Sequence, residues 1–537
     1  MAVIVVIINQ LPFLLNLTLL LLIVTLINPT SGCAYRKYNR DSYICVCSEY
    51  YCDSLLEVED PGPDHVDVYE TSRDGLRFQR SSVRLMPSDM TSQSWIHSGL
   101  HHVHITLKPE IKYQKIIGFG GAFTDAACVN IMSLSTRMAD SVIRDYFGTD
   151  GLEFNMAKVP IGSNEASRRE YTLSPPMDFN LSNFELAEED LWYKIPLIGK
   201  AQVVRPDLKL LASAGSAPHW MTEARMGSFD VAPLRNKPGT IFYKLWAAYQ
   251  IKFLKAYDSM GINFWGLTFA NKPFSSSLPN GPEGVPMSPL DERDFLKHDL
   301  GPLLQQAGYG RDKLKVFIMN DIISTAPYWS TIISSDDGAA SYISGLAFTW
   351  YLKHHIKSSQ FILNFLHERW PDYYLLSSEA MVGLNSKEKV SLGSWARAEL
   401  YGIDIIEDLN HWTSGWLESS LALDMIGGPN KRNRFSDSPV IVNAIYNEYY
   451  KQPTFYLLAH FTKFLGGPES IRIGNIIFKL VDNVYFLTAL YDQDLAVVIV
   501  LNVNDYNLDV RIVGFSGGQL HRKIGSKSIQ TYIGRIR

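Results

Sequence analysis

Eight short β-rich runs, each followed by a longer segment with helical patterning, predict a (β/α)8 barrel at the centre of this 537-residue chain. Segments of strict two-residue alternation on either side of that region predict β modules at the chain ends. The composition is that of a folded protein, because 46% hydrophobic and 20% charged residues exclude a disordered chain. A formal charge of −5 and a pI near 6.2 give no basic field for a phosphate backbone, so nucleic acid is not an expected partner.

Taken from the N-terminus, the first feature is a largely apolar run from Leu11 to Ile27, ending at Asn28-Pro29 and followed by small residues up to Gly32. It reads as a signal peptide over residues 1–32. Four of the five cysteines, Cys33, Cys45, Cys47 and Cys52, follow directly. In an exported chain such crowding means disulfides, with three pairings open; Cys-Val-Cys is too tight for ordinary zinc spacing. Cys128 stands alone in an apolar run and reads as a buried free thiol. Asn180-Leu181-Ser182 is a glycosylation sequon suited to the secretory route.

Period-2 segments occupy about residues 60–110, including His102-Val103-His104-Ile105-Thr106-Leu107, and reappear late in Leu495–Leu501 and Leu508–Val513. His101, His102 and His104 read as surface histidines, since no carboxylate joins them as a metal ligand. Between these modules the eight runs are Ile116–Phe119, Phe154–Val159, Leu208–Ser213, Phe264–Phe269, Val316–Met319, Leu346–Trp350, Tyr374–Ser377 and Trp412–Trp416. Phe242, Leu245, Trp246, Tyr249, Phe253 and Ala256 share one helical face, and Ser288-Pro289-Leu290-Asp291 carries a helix-start signal.

In such a barrel the chemistry sits just beyond the C-terminal ends of the strands. Glu379 follows the seventh run, whereas Asn271 and Lys272 follow the fourth. Two carboxylates at the ends of strands four and seven, about 5 Å apart, form the usual retaining-glycosidase pair. Here the fourth strand supplies a lysine instead.

The segments Gly118-Phe-Gly-Gly-Ala-Phe-Thr-Asp-Ala-Ala127, Lys194-Ile-Pro-Leu-Ile198, Ser378-Glu-Ala380, Leu392-Gly-Ser-Trp395, Gly427-Gly-Pro-Asn430 and Asp437-Ser-Pro439 resemble the lysosomal acid β-glucosidases, or glucosylceramidases, of glycoside hydrolase family 30. The resemblance spans nearly the whole chain after the signal. It implies the pairings Cys33–Cys45 and Cys47–Cys52. It also implies a disulfide-linked N-terminal β module of residues 33–58 completed by about 421–455, and an immunoglobulin-like β-sandwich from residues 59–111 and about 471–537. The catalytic-type barrel would then comprise residues 112–420 and about 456–470.

The family cleaves glucosylceramide to glucose and ceramide with retention, and the resemblance makes Glu379 the nucleophile. The acid/base glutamate of its Asn-Glu-Pro triplet falls at Lys272. Lys158 and Glu165 fall where the family has a sugar-site Arg and Asp, while Asn271, Trp350 and Tyr351 keep the family's residues as substrate-binding positions. Family tryptophans fall at Gly215 and Ser419, and a histidine at Thr349. A glycosphingolipid ligand, a saposin-like activator, a membrane surface and a lysosomal or secreted location all follow from the resemblance, which calls for no cofactor or metal. Three functions stand open: a glucosylceramidase, impaired or not, in which another carboxylate such as Glu165 or Glu418 supplies the proton; a non-catalytic protein that binds a glycolipid or a partner of the active enzyme; and a transglycosidase or hydrolase of activated glucosides that needs only Glu379 and a good leaving group. A free lysine is a poor proton donor, and losing acid/base help costs roughly 10²–10⁴-fold in rate.

Overall fold

The computed structural model describes residues 32–87, 101–223, 231–351 and 359–536. The expected signal segment, apart from Gly32, lies outside the described residues. Eight parallel strands close into a barrel: β1 (Gly118–Ala122), β2 (Met156–Ile161), β3 (Lys209–Ala214), β4 (Gly266–Thr268), β5 (Lys315–Ile322), β6 (Ile343–Thr349), β7 (Tyr374–Ala380) and β8 (Thr413–Glu418), with β8 pairing back onto β1. Each overlaps one of the eight β-rich runs. Their side chains are buried on both faces because helices cover the outside and the barrel interior is filled, as near-continuous apolar runs in a parallel sheet require.

The glycines of β1 are a packing necessity. A β-carbon on Gly120 would lie 2.0 Å from the Met156 carbonyl oxygen, so only glycine lets β1 approach β2. The helical face read from Phe242 to Ala256 becomes the helix Ile241–Ser259, which buries Leu245, Trp246, Tyr249 and Phe253. Ser288 caps Pro289–Phe295 by accepting the Asp291 N–H at 3.1 Å.

A small sheet is built from both ends of the sequence, in the order Tyr35–Arg36, Ile44–Cys47, Glu448–Lys451, Val440–Asn443, Leu423–Asp424. The pairs Cys33–Cys45 and Cys47–Cys52 staple its N-terminal part, and Cys128 is a buried free thiol whose burial pushes its pKa well up. A second, nine-stranded sheet interleaves strands between His65 and Lys115 with strands between Ile471 and Arg535, hydrogen-bonded continuously and mostly antiparallel. One cluster containing Val66, Val68, Val103, Ile105, Val498, Val510 and Ile512 forms its core. His102 is buried in this sheet, against the expectation of a surface histidine, because its strand pairs on both edges. Asn180 is exposed, in a turn where the Asp178 carboxylate accepts the Ser182 and Asn183 N–H groups. No helix among the described residues is long and apolar enough to cross a membrane.

Candidate active site

The ends of β2, β4 and β7 converge on one carboxylate. Glu379, near the end of β7, points into the barrel mouth and is almost wholly buried. Lys272 places its ammonium 2.8 Å from Oε1, and Lys158 from β2 donates to Oε2 at 2.9 Å and to the Ser378 carbonyl at 3.0 Å. The Tyr351 hydroxyl donates to Oε1 at 2.7 Å, and the Lys272 ammonium also lies 4.9 Å from the centre of the Tyr351 ring.

The backbone beyond β4 explains how Lys272 reaches this point. Lys272 has φ of 51°, in the left-handed region that non-glycine residues rarely occupy, and its N–H donates to the Asn320 carbonyl at 3.1 Å. Asn320 in turn donates to the Asn271 side-chain carbonyl at 3.0 Å and accepts from Ser378 at 2.6 Å. A hydrogen-bonded chain therefore ties the ends of β4, β5 and β7 together. It fixes the lysine in front of the carboxylate.

Electrostatics follow from this geometry. Burial opposes ionisation of Glu379, but Lys158 and Lys272 outweigh it and hold the carboxyl well below the usual carboxylate range. Burial likewise opposes the charge on Lys272, yet Glu379 and, behind it, Glu165 raise its pKa above the ordinary lysine value. Burial and the Glu379 charge push Tyr351 well up, so it remains a neutral hydrogen-bond donor. The site thus holds an ionised carboxylate clamped by two lysine side chains.

A narrow cavity of about 80 Å³ opens in front of Glu379, lined among others by Lys158, Glu165, Gly215, Asn271, Lys272, Glu283, Ser419 and Arg434. It is smaller than most ligand sites, which usually offer about 300–1,000 Å³. Met381, Leu384 and Arg434 also line a neighbouring groove of about 540 Å³, with Leu278, Pro282, Ile322, Trp350, Val382 and Leu400 on its walls. Arg434 stands at the junction.

The structure brings Lys158, Glu165, Asn271, Lys272, Tyr351 and Glu379 together; the Trp350 N–H donates to the Glu379 carbonyl at 3.1 Å, but its ring lies outside the inner cavity. That ring packs edge-on against Tyr401 at 5.3 Å and borders the outer groove, not the inner cavity. Glu418 is also misplaced for the proton role that its position after β8 suggested. It is fully buried, and burial, with the negative charge of Asp437 behind it, pushes its carboxyl well above the usual range while Tyr401 opposes the shift. Glu165 does line the cavity, but its Oε1 already accepts the Glu283 N–H at 2.7 Å and faces Arg434 and Arg432 at 3.3 and 3.5 Å.

Sequence reasoning missed Glu283, Lys431, Arg432 and Arg434. Glu283 sits in the loop after β4 and bonds to Lys431 at 2.9 Å and to the Ser216 hydroxyl. The available signal was its place in a long loop at the C-terminal end of a barrel strand, where sites are assembled. The three basic residues follow Gly427-Gly-Pro-Asn430, a segment noticed only as one of the motifs that carry the family resemblance.

A parallel barrel with a carboxylate at the mouth of β7 and site groups gathered from several strand ends is the architecture of a glycoside hydrolase. Residues 116–465 match the glycosyl hydrolase family 30 TIM-barrel domain, and the chain belongs to that family. It is 36% identical over 509 residues to the lysosomal acid glucosylceramidase of Mus musculus, covering 94% of this chain and 95% of that protein. It is 23% identical over 483 residues to an endo-1,6-β-D-glucanase of Neurospora crassa, covering 87% of this chain and 92% of that one. Among solved structures, SrfJ from Salmonella typhimurium shares the fold with a TM-score of 0.76 at 22% identity, over 88% of this chain and 99% of that one.

Proposed function

We propose that this chain receives the sugar headgroup of a glycosphingolipid at the barrel mouth, and that it hydrolyses glucosylceramide slowly or not at all. The observation that carries this reading is the Lys272 ammonium, 2.8 Å from the Glu379 carboxylate on the strand-four side where a retaining glycosidase keeps its acid/base. Retaining hydrolysis needs a carboxylate to attack the anomeric carbon while an acid protonates the leaving oxygen. It then needs a base to deprotonate the water that releases the glycosyl-enzyme. A lysine whose pKa is raised by Glu379 gives up its proton reluctantly and, while charged, is no base. It also occupies a lone pair of the nucleophile. The apolar groove beside the cavity suits the hydrocarbon part of a glycolipid. Similarity to the mouse lysosomal enzyme supports a route through the secretory pathway to the lysosome, with a saposin-like activator at a membrane surface as a further element of the proposal.

A nucleophile without an acid still attacks when the leaving group needs no proton. The test compares purified protein on glucosylceramide and on an aryl glucoside with an acidic phenol, at acidic pH. The aryl glucoside should be cleaved faster, and Glu379→Gln should abolish that cleavage. Glucosylceramide turnover of about 1–10³ s⁻¹, lost on Glu379→Gln, would overturn the reading.

A further inference from the structure

Retaining hydrolysis ends when a water attacks the glycosyl-enzyme, and that water must lose a proton to a base. Lys272, with its pKa raised by Glu379, keeps its own proton and cannot take another. Three carboxylates line the cavity: Glu165, Glu283 and Glu379. Glu379 is the attacking group, and its two oxygens are held by Lys158, Lys272 and Tyr351. Glu165 follows β2, and its Oε1 accepts the Glu283 N–H and faces Arg434 and Arg432. Glu283 is 7% exposed. Its Oε1 pairs with Lys431 at 2.9 Å and accepts from the Ser216 hydroxyl, whereas its Oε2 is buried with no hydrogen-bond partner among the described residues.

The backbone returns Glu283 to the end of β4, the side of the mouth that Lys272 occupies. The Asn271 carbonyl accepts the Val285 N–H at 3.0 Å, the Lys272 carbonyl the Ser276 N–H at 2.9 Å and the Pro273 carbonyl the Met287 N–H at 3.2 Å. The Asn271 side-chain N–H donates to the Glu283 carbonyl at 3.3 Å. Gly284 permits this closure, since a β-carbon there would lie 2.1 Å from the Asn271 carbonyl oxygen. The loop that leaves β4 at Asn271 therefore closes back onto the same residue, and its carboxylate joins the cavity wall beside the position of Lys272. A cavity of about 80 Å³ has room for water, which needs about 10–15 Å³ of such space per molecule.

We infer that Glu283 is the general base of this site, taking the proton from the water that releases the glycosyl-enzyme; this rests on the reading of Glu379 as the attacking carboxylate of a glycosidase. In the first step a Glu379 oxygen bonds to the anomeric carbon while the bond to the leaving oxygen breaks, and an acidic phenol departs as its phenolate with no proton supplied. In the second step the water oxygen bonds to that carbon and its proton passes to Glu283 Oε2. The bond to Glu379 breaks, and its electron pair returns to the carboxylate. Lys158 and Lys272 stabilise this departing carboxylate, as they hinder its attack in the first step. Ion-paired with Lys431, the Glu283 carboxylate offers an acceptor and has no proton to give, so it serves the second step and leaves the first unaided. Attack by Glu379 is then the slower step in the wild type.

The experiment follows phenol release from a dinitrophenyl β-glucoside by stopped flow at mildly acidic pH, with and without sodium azide, an anion that attacks the glycosyl-enzyme without losing a proton. The wild type should show no burst and no response to azide. Glu283→Gln should release about one equivalent of phenol per protein in a burst and then turn over roughly 10²–10⁴-fold more slowly than the wild type. Azide should restore that rate, with glucosyl azide as the product, an outcome that a merely structural role of Glu283 does not produce. Glu283→Ala should behave alike, and thermal melts establish which variants are folded. An unchanged rate in folded Glu283→Gln or Glu283→Ala overturns the inference, as does azide acceleration of the wild type, or azide rescue of Glu165→Gln in their place; each leaves the glycosidase reading standing. A wild type that releases no phenol overturns both.

Discussion

Two buried ion triads of opposite composition lie in the barrel. In one, Lys194 stands between Asp125 at 3.2 Å and Asp190 at 2.7 Å, wholly sealed from solvent. In the other, Glu379 stands between Lys158 and Lys272. The first carries a net negative charge that neutral donors absorb: Tyr171 and Ser167 donate to Asp125 at 3.0 and 2.6 Å, and Tyr257 donates to Asp190 at 2.8 Å. Burial opposes the charge on Lys194, but the two aspartates hold its pKa well above the ordinary value. The second triad carries a net positive charge and opens onto a cavity. The first triad is closed by its own neighbours, whereas the second keeps one face toward the cavity.

The largest expected effect separates the triads by stability. Lys194→Met should destabilise the fold by about 3–5 kcal/mol, because it strands two buried carboxylates. Lys272→Met should cost about 1 kcal/mol, since Lys158 still pairs with Glu379. Urea unfolding midpoints measure both, and equal losses would erase the distinction.

Next comes catalysis. Lys272→Glu should raise glucosylceramide turnover by less than the roughly 10²–10⁴-fold that a general acid supplies. Rescue is partial because the sugar remains loosely positioned. Ser419 offers no aromatic face, and a β-carbon at Gly215 would lie 2.7 Å from the Ser163 carbonyl oxygen, so no platform returns there without a backbone shift. Full recovery in a kcat and KM comparison would show that the lysine alone had silenced the site.

A third effect is visible in pH. Aryl glucoside cleavage should keep its rate as pH falls through about 4.3, the ordinary glutamate value, because the two lysines hold Glu379 ionised. Its depressed pKa contributes stability above that value, lost only as pH falls through the lower folded-state pKa. Lys272, with a raised pKa, contributes stability below about 10.4 that is lost as pH rises through its higher folded value. Lys272→Gln should move the acid limb of the rate profile upward; an unmoved limb would mean that Lys272 does not set the charge of Glu379.

The smallest effect concerns Glu418. Its raised pKa means that its stability contribution is complete below about 4.3 and declines as pH rises toward the folded-state value. Glu418→Gln should therefore match the wild type in acid, exceed it slightly in Tm at neutral pH, and leave the aryl glucoside rate unchanged. A large drop in that rate would return Glu418 to the list of proton donors.

Much of the architecture was legible in the chain itself. Apolar β-rich runs and amphipathic segments mark the barrel because their periodicity records which faces are buried, and an acidic residue closing an apolar strand, as Glu379 does, is held where its strand ends. The crowded cysteines announced disulfides, but local physics did not choose their pairing. The lysine after β4 was readable as a break in a carboxylate pair. What the linear pattern did not contain was every relation between distant loops. Glu283 and Lys431 meet across 148 residues and Lys158 and Glu379 across 221. Only the closed barrel sets Glu418 behind the mouth, turns the Trp350 ring toward Tyr401 and brings Lys158 and Lys272 onto one carboxylate. Periodicity encodes burial one element at a time, whereas charge balance is a sum over all strand ends, and that sum exists only once the barrel has closed.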